Sequence, residues 1–190
     1  MKKYQIIYAD PPWSYSFSGT RAEETKDDYQ TLKTEDICKF PIKELADNSC
    51  VLFIWGIWTK LPDILKVIKM WGFEYKTIGF VWLKGKKAFN PNQRSFLPQD
   101  SLEDFYGMGM WTRANTEFCL IGTKGNIQPI SHSIKQLIYS PLREHSRKPD
   151  EIISKIVELM GDLPRIELFA REKTEGWDVW GNEVKSDIEL

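Results

Sequence analysis

Short apolar runs alternate along the chain with stretches of helical period. Tyr4 to Ala9 is a continuous apolar-rich run that reads as a buried strand, and Pro11-Pro12 stops it. Thr34 is placed to cap a short helix reaching about Phe40. Ser49 to Trp55 predicts a second buried strand. In Leu61 to Trp71, the spacing of Ile64, Leu65, Ile68 and Trp71 predicts a helix, with Gly72 at its C-terminal end. Strands follow at Tyr75 to Trp82, Thr116 to Ile121 and Leu137 to Tyr139. Pro149 opens a helix carrying Ile152, Ile153, Ile156, Val157 and Met160, which ends at Gly161. Arg165 to Phe169 is a last strong strand. Strands alternating with helices predict an α/β fold with a mostly parallel sheet.

Two segments break the pattern. Ser14 to Asp28 is polar and mixed in charge, and reads as a mobile loop. Lys84 to Arg113 is irregular and contains Pro91 and Pro98; a long loop of this kind is usually functional or disordered. It is expected as an insertion in one domain spanning residues 1–190, and to be mobile without nucleic acid.

Composition narrows the classes. The 190 residues are 42% hydrophobic and 28% charged, as in soluble globular proteins, and need no covalent staple. Three cysteines without a CxxC pair and two histidines are too few soft ligands for a structural zinc site, so no metal is expected. No apolar run approaches membrane-spanning length, and the first residues lack the pattern of a secretory signal; a cytoplasmic protein without membrane contact is expected. A formal net charge of -1 excludes nucleic-acid binding by bulk positive charge. It leaves room for a local basic face: between residues 84 and 148 basic side chains outnumber acidic ones two to one. Aromatic residues are 13% of the chain, with eight tryptophans, and some could serve as stacking surfaces for flat ligands.

The chemistry points to Asp10-Pro11-Pro12-Trp13, at the carboxyl end of the first strand, where open α/β sheets bind ligands. Asp10 precedes a proline and is held extended. Prolines cannot donate hydrogen bonds, so the nearby carbonyls are expected to be free and rigidly aimed. A carboxylate plus a fixed carbonyl can accept both hydrogens of a planar amino group. Trp13 offers a flat face to a base taken out of its stack. This set suits methylation of an exocyclic amine. The amine lone pair is delocalised into the ring, and holding both N–H groups out of plane favours a tetrahedral nitrogen. The neutral amine is too weak an acid for a carboxylate, so Asp10 is expected to orient it and accept its proton late.

Four ordered blocks carry a resemblance over about Lys3 to Val184. The first is Ile7-Tyr8-Ala9-Asp10-Pro11-Pro12-Trp13. The second is Tyr29-Gln30-Thr31-Leu32 with Glu35-Asp36-Ile37 and Leu52-Phe53-Ile54-Trp55. The third is Glu117-Phe118-Cys119-Leu120-Ile121-Gly122 with Lys124-Gly125-Asn126. The last is His145-Ser146-Arg147-Lys148-Pro149-Asp150-Glu151-Ile152, then Arg165 to Arg171 and Gly181-Asn182-Glu183. Together they resemble the DPPW-type amino-methyltransferases, in particular the MT-A70 family in its phage and bacterial branch.

The resemblance implies a Rossmann-like fold with helices on both sheet faces. It implies S-adenosyl-L-methionine as methyl donor and a permuted order, with the catalytic block first and the cofactor block last. Asp10, Pro11, Pro12 and Trp13 would form the catalytic block, with Asp10 also touching the cofactor. Lys148 matches a lysine near the methionine carboxylate, and Phe169, Arg171, Asn182 and Glu183 match cofactor positions. Trp13, Tyr29 and Glu117 match positions near the incoming nucleotide. Glu183 stands where relatives carry an amide, Ala170 where they carry glycine, and Glu172-Lys173-Thr174 where they carry a His-Asn pair. A family segment upstream of the first strand, which touches the cofactor adenine, is expected to be missing. The implied activity is methylation of the adenine N6 amine in nucleic acid, DNA more than RNA. The alternatives are RNA adenosine methylation or a non-catalytic nucleic-acid-binding scaffold. A homodimer or partner subunit could supply further contacts.

Overall fold

The computed structural model describes residues 2–14, 31–85, 111–143 and 147–190. Its centre is a seven-stranded sheet. The strands are β1 (Tyr4–Ala9), β2 (Ala46–Gly56), β3 (Glu74–Gly85), β4 (Thr116–Lys124), β5 (Leu137–Pro141), β6 (Arg165–Leu168) and β7 (Asp178–Trp180). They lie in the order β5-β3-β4-β2-β1-β6-β7. β1 pairs parallel with β2 and with β6, β6 with β7, and β3 with β5. β4 runs antiparallel to both neighbours, β2 and β3, so six strands share one direction and β4 alone opposes them. That reversal decides the site. The amino end of β4 comes to the same edge of the sheet as the carboxyl ends of β1, β2, β3 and β6.

The described residues also form helices α1 (Thr34–Ile37), α2 (Ile42–Leu45), α3 (Leu61–Met70) and α4 (Glu151–Met160), with a 3-10 turn at Trp58–Lys60 before α3. Strand alternation splits the core in two. Ile7 and Ala9 of β1, Leu52 and Ile54 of β2, and Phe118 and Leu120 of β4 face Ile37, Ile42, Leu45, Ile64, Val67 and Ile68 of the first three helices. Ile6, Tyr8, Val51, Phe53, Trp55 and Cys119 face the other way, against Ile152, Ile156 and Met160 of α4. Both faces of the sheet are therefore covered, as in other Rossmann-like α/β folds.

The expected elements recur, with revised ends. α1 is shorter than predicted, and Lys33, not Thr34, stands at its cap position; Thr34 is already helical. β3 runs on through Lys84 and Gly85, so the irregular segment cannot begin before residue 86. Residues 111–113 are irregular, and the rest of that segment lies outside the described residues, as does nearly all of Ser14 to Asp28. α2 and β7 were not expected. The three cysteines are unpaired, and Cys50 and Cys119 are buried as small core residues. Among the described residues no helix is long and apolar enough to cross a membrane.

Candidate active site

Asp10 follows β1 directly and stands on the α4 side of the sheet edge. Two cavities meet around it. The larger, about 430 Å³, lies between the ends of β1 and β6 and the start of α4; Tyr8, Asp10, Lys148, Glu167, Phe169 and Arg171 are part of its wall. The smaller, about 70 Å³, is bounded by Asp10 to Trp13, Thr31, Gly56, Ile57, Glu117, Lys148 and Arg171. Asp10, Lys148 and Arg171 belong to both.

The charges at the junction are ordered. Lys148 Nζ donates to Asp10 Oδ2 at 2.8 Å and lies 3.3 Å from Glu117 Oε2. Its ammonium sits 5.7 Å from the centre of the Trp55 ring. The Glu117 side chain is only 6% exposed and that of Lys148 10%. Glu117 reaches this place because β4 is reversed: it is the second residue of β4, opposite Trp82 of β3. Burial pushes the Asp10 carboxyl above the ordinary aspartate range; Lys148 pulls against that, Glu117 adds to it, and Arg171 lowers it slightly. Burial also disfavours the charge on Lys148, but Asp10 and Glu117 outweigh it and hold the ammonium above the usual lysine range. Lys148 is thus a fixed cation between two acids.

The catalytic block departs from expectation in its carbonyls. Both are engaged: Pro11 O accepts from Trp13 N at 2.9 Å and Pro12 O from Leu32 N at 2.7 Å. These bonds aim the carbonyls, and each keeps a second lone pair. Trp13 is also more deeply set than a projecting platform. It is 5% exposed, and its Nε1 donates to Trp55 O at 3.0 Å. Its ring is a wall of the smaller cavity and part of the core behind it.

Of the expected cofactor residues, Asp10, Lys148, Phe169, Arg171 and Glu183 all border the larger cavity, and Arg171 Nε lies 3.7 Å from Glu183 Oε1. Asn182 is exposed and is not part of either wall. Tyr29 lies outside the described residues. Phe169 adopts φ 62°, left-handed for a non-glycine residue, at a cost of about 1–2 kcal/mol. Edge-to-face packing against Phe40 and Trp180, at 5.5 and 5.3 Å, holds it there.

The sequence reading missed two wall residues, Tyr8 and Glu167, and a third residue behind the walls, Lys84. Tyr8 and Glu167 are paired neighbours on β1 and β6. Tyr8 OH accepts from Trp55 Nε1 at 2.9 Å, and Glu167 Oε2 accepts from Thr174 Oγ1 at 3.2 Å. Burial lifts the Glu167 carboxyl to about 7. Lys84, at the end of β3, donates to Glu117 Oε1 at 2.5 Å. Counting by twos from the buried pair Phe80 and Trp82 would have put Lys84 on the site face. Among the described residues no group of three or more His, Cys, Asp or Glu side chains is placed to hold a metal ion.

Comparison with known proteins extends the geometry. The chain is 33% identical to the Type II methyltransferase M.MunI of Mycoplasma sp over 96% of its own length and 78% of that protein. It is 28% identical to the N(6)-adenosine-methyltransferase catalytic subunit METTL3 of Homo sapiens, again over 96% of its length but over 28% of that protein. It is 25% identical to the N(6)-adenosine-methyltransferase MT-A70-like protein of Arabidopsis thaliana, spanning 24% of it. The MT-A70 family matches residues 4–183. Because that match runs from the first strand to the loop after the last, it takes in every element that builds the two cavities, and the chain belongs to the MT-A70 family of methyltransferases.

Proposed function

We propose that the protein transfers a methyl group from S-adenosyl-L-methionine to the exocyclic N6 amine of adenine in nucleic acid, with DNA the favoured polymer. The observation that carries this reading is the place of Asp10, on the wall shared by the two cavities.

The larger cavity suits the cofactor. Its volume lies in the usual range for small-molecule sites. A ligand with a carboxylate, an ammonium, a sulfonium and ribose hydroxyls needs both signs of charge around it. The wall supplies cations in Lys148 and Arg171, acids in Asp10, Glu167 and Glu183, and an apolar ring in Phe169. Lys148 and Arg171 would meet the carboxylate, Asp10 the ammonium, and Glu183 the ribose hydroxyls. Asn182, next to Glu183, would reach the nucleoside part from the rim. When bound, the cofactor supplies an electrophilic methyl group.

The chain's own residues then act on the amine. Asp10 accepts one N–H, and the Pro11 or Pro12 carbonyl accepts the other through its spare lone pair. Both acceptors are fixed, so the amine loses conjugation with the ring and its lone pair turns toward the larger cavity. Trp13, Ile57 and Gly56 wall the base on the apolar side and Glu117 on the polar side; from the family resemblance, Tyr29 contacts the same nucleotide. Lys148 opposes the rise that burial causes in the Asp10 carboxyl, favouring its charged form. Once methylated, the nitrogen is acidic, and Asp10 is the base beside it.

DNA is favoured because the likeness to a bacterial Type II methyltransferase is higher, and spans far more of that relative, than the likeness to the adenosine methyltransferases. The catalytic block at β1 and the cofactor block near β6 follow the permuted order. With a net charge of -1, a second copy or a partner subunit would add contacts to the polymer.

The test is incubation with methyl-labelled cofactor and matched double-stranded DNA, single-stranded DNA and RNA, with the modified base identified by mass spectrometry and Asp10→Ala as control. N6-methyladenine in DNA is expected. N6-methyladenine in RNA alone would reassign the polymer. Cofactor binding without transfer to any polymer would point to a missing partner subunit, and neither transfer nor cofactor binding would favour the scaffold.

A further inference from the structure

We propose that Lys84 is a positioning residue for this reaction: by holding Glu117 Oε1 it leaves the Lys148 ammonium to Asp10. The proposal rests on the reading of Asp10 as the acceptor of the amine. It adds a residue from β3, outside both cavity walls.

Four charged side chains stand in a row across three strands and the loop before α4. Asp10 Oδ2 meets Lys148 Nζ at 2.8 Å, Lys148 Nζ meets Glu117 Oε2 at 3.3 Å, and Glu117 Oε1 meets Lys84 Nζ at 2.5 Å. The signs alternate and cancel. The Lys84 side chain is 14% exposed, which is unusual for a lysine without a structural task. Its ammonium also lies 5.0 Å from the centre of the Trp82 ring, and Trp82 is pinned by its own Nε1 to Ser140 O at 2.9 Å. Lys84 is thereby held on both sides.

The distances show why an outer lysine matters. Lys148 is closer to Asp10 than to Glu117, and Glu117 is closer to Lys84 than to Lys148. Each acid has its own cation. Without Lys84, the two carboxylates share one ammonium, and Lys148 is drawn along the row toward the buried Glu117. Asp10 then keeps its proton to higher pH. Besides Lys148 and Glu117, the described residues that act on Asp10 include Arg171 from the loop after β6, Glu167 on β6, Tyr8 on β1 and Cys119 on β4; the ion pair of Lys84 is with Glu117, and its effect passes through that residue.

The experiment compares wild type with Lys84→Met, Lys84→Gln and Lys84→Arg. Two readouts are taken: the pH profile of kcat/KM for methyl transfer, and the titration of the Asp10 carboxyl by carbon-13 chemical shift in the protein alone. In Lys84→Met and Lys84→Gln the acidic limb and the Asp10 midpoint should both move to higher pH. Activity at the acidic end should fall about ten- to a hundredfold, the range for losing one charge-assisted hydrogen bond. Lys84→Arg should restore both. In Lys84→Met with Glu117→Gln, the Asp10 midpoint should return toward wild type, because Lys148 again has one acid to serve. An Asp10 titration unmoved by Lys84→Gln would overturn the proposal. So would a uniform rise in KM at every pH with a shallower salt dependence, the behaviour of a phosphate contact. The carbon-13 titration needs no substrate, so it reads the Lys84 role even if no polymer is methylated.

Discussion

Burial pushes the Asp10 carboxyl above its ordinary range, and Lys148 opposes that rise with one hydrogen bond of 2.8 Å. Asp10→Asn keeps an acceptor oxygen but cannot take a proton. It should lower kcat by about 100- to 10,000-fold, with cofactor affinity by calorimetry changed far less. Glu167 offers a separate check on the larger cavity. Its carboxyl is raised to about 7 from an ordinary 4.5, chiefly by burial, with Asp10 and Glu172 adding to the rise and the Thr174 hydroxyl and Arg147 opposing it. Between those values the folded chain holds a proton that the unfolded chain has lost, so stability falls as pH rises through the window and levels off above it. Glu167→Gln removes that loss. The variant should match wild type near pH 4.5 and exceed it by up to about 3 kcal/mol above pH 7, read by urea denaturation at several pH values. Asp10 was legible because two prolines and a tryptophan follow it in the sequence. Glu167 was not, because a glutamate inside an apolar strand declares neither its depth nor its neighbours. Those are set by Tyr8, 159 positions away in the chain but adjacent in the sheet.

At the scale of elements, runs with strong periodicity were read correctly, as were the short β5 and β6, but two short elements were missed. β1 was predicted to the residue, and α3 and α4 end where Gly72 and Gly161 adopt positive φ. α2 has four residues and β7 three, too few to show a period; packing, not local preference, fixes them. The prolines were read for what they lack, an N–H, and the sequence could not show that Leu32 and Trp13 would occupy their carbonyls. The β7 end depends on one glycine. A Cβ on Gly181 would lie 2.1 Å from Ala170 O and 2.8 Å from Ala170 N. Ala170 N donates to Trp180 O at 3.0 Å, so this contact seats the loop bearing Phe169 and Arg171 against the loop bearing Glu183. Gly181→Ala should destabilise the protein by about 1–3 kcal/mol and weaken cofactor binding, seen by thermal denaturation and calorimetry.

Across the whole molecule, protection should follow position in the sheet. Amide hydrogen exchange should be slowest in β1, β2 and β4, which have a strand on each side and helices above and below. It should be fastest in the edge strands β5 and β7. Equal protection across all seven strands would contradict the layered core. The sheet order carries one more consequence. β1, with Asp10 at its end, pairs on one side with β2 and on the other with β6, whose residues lie some 160 positions later. A nascent chain leaving the ribosome therefore carries Asp10 early but holds one side of β1 unpaired until β6 has been made. Lys148, Glu167 and Arg171 arrive on or near that later stretch. A product stalled before it has the acid and neither the cation beside it nor the cavity wall opposite, so the junction of the two cavities forms only after β6 has been made.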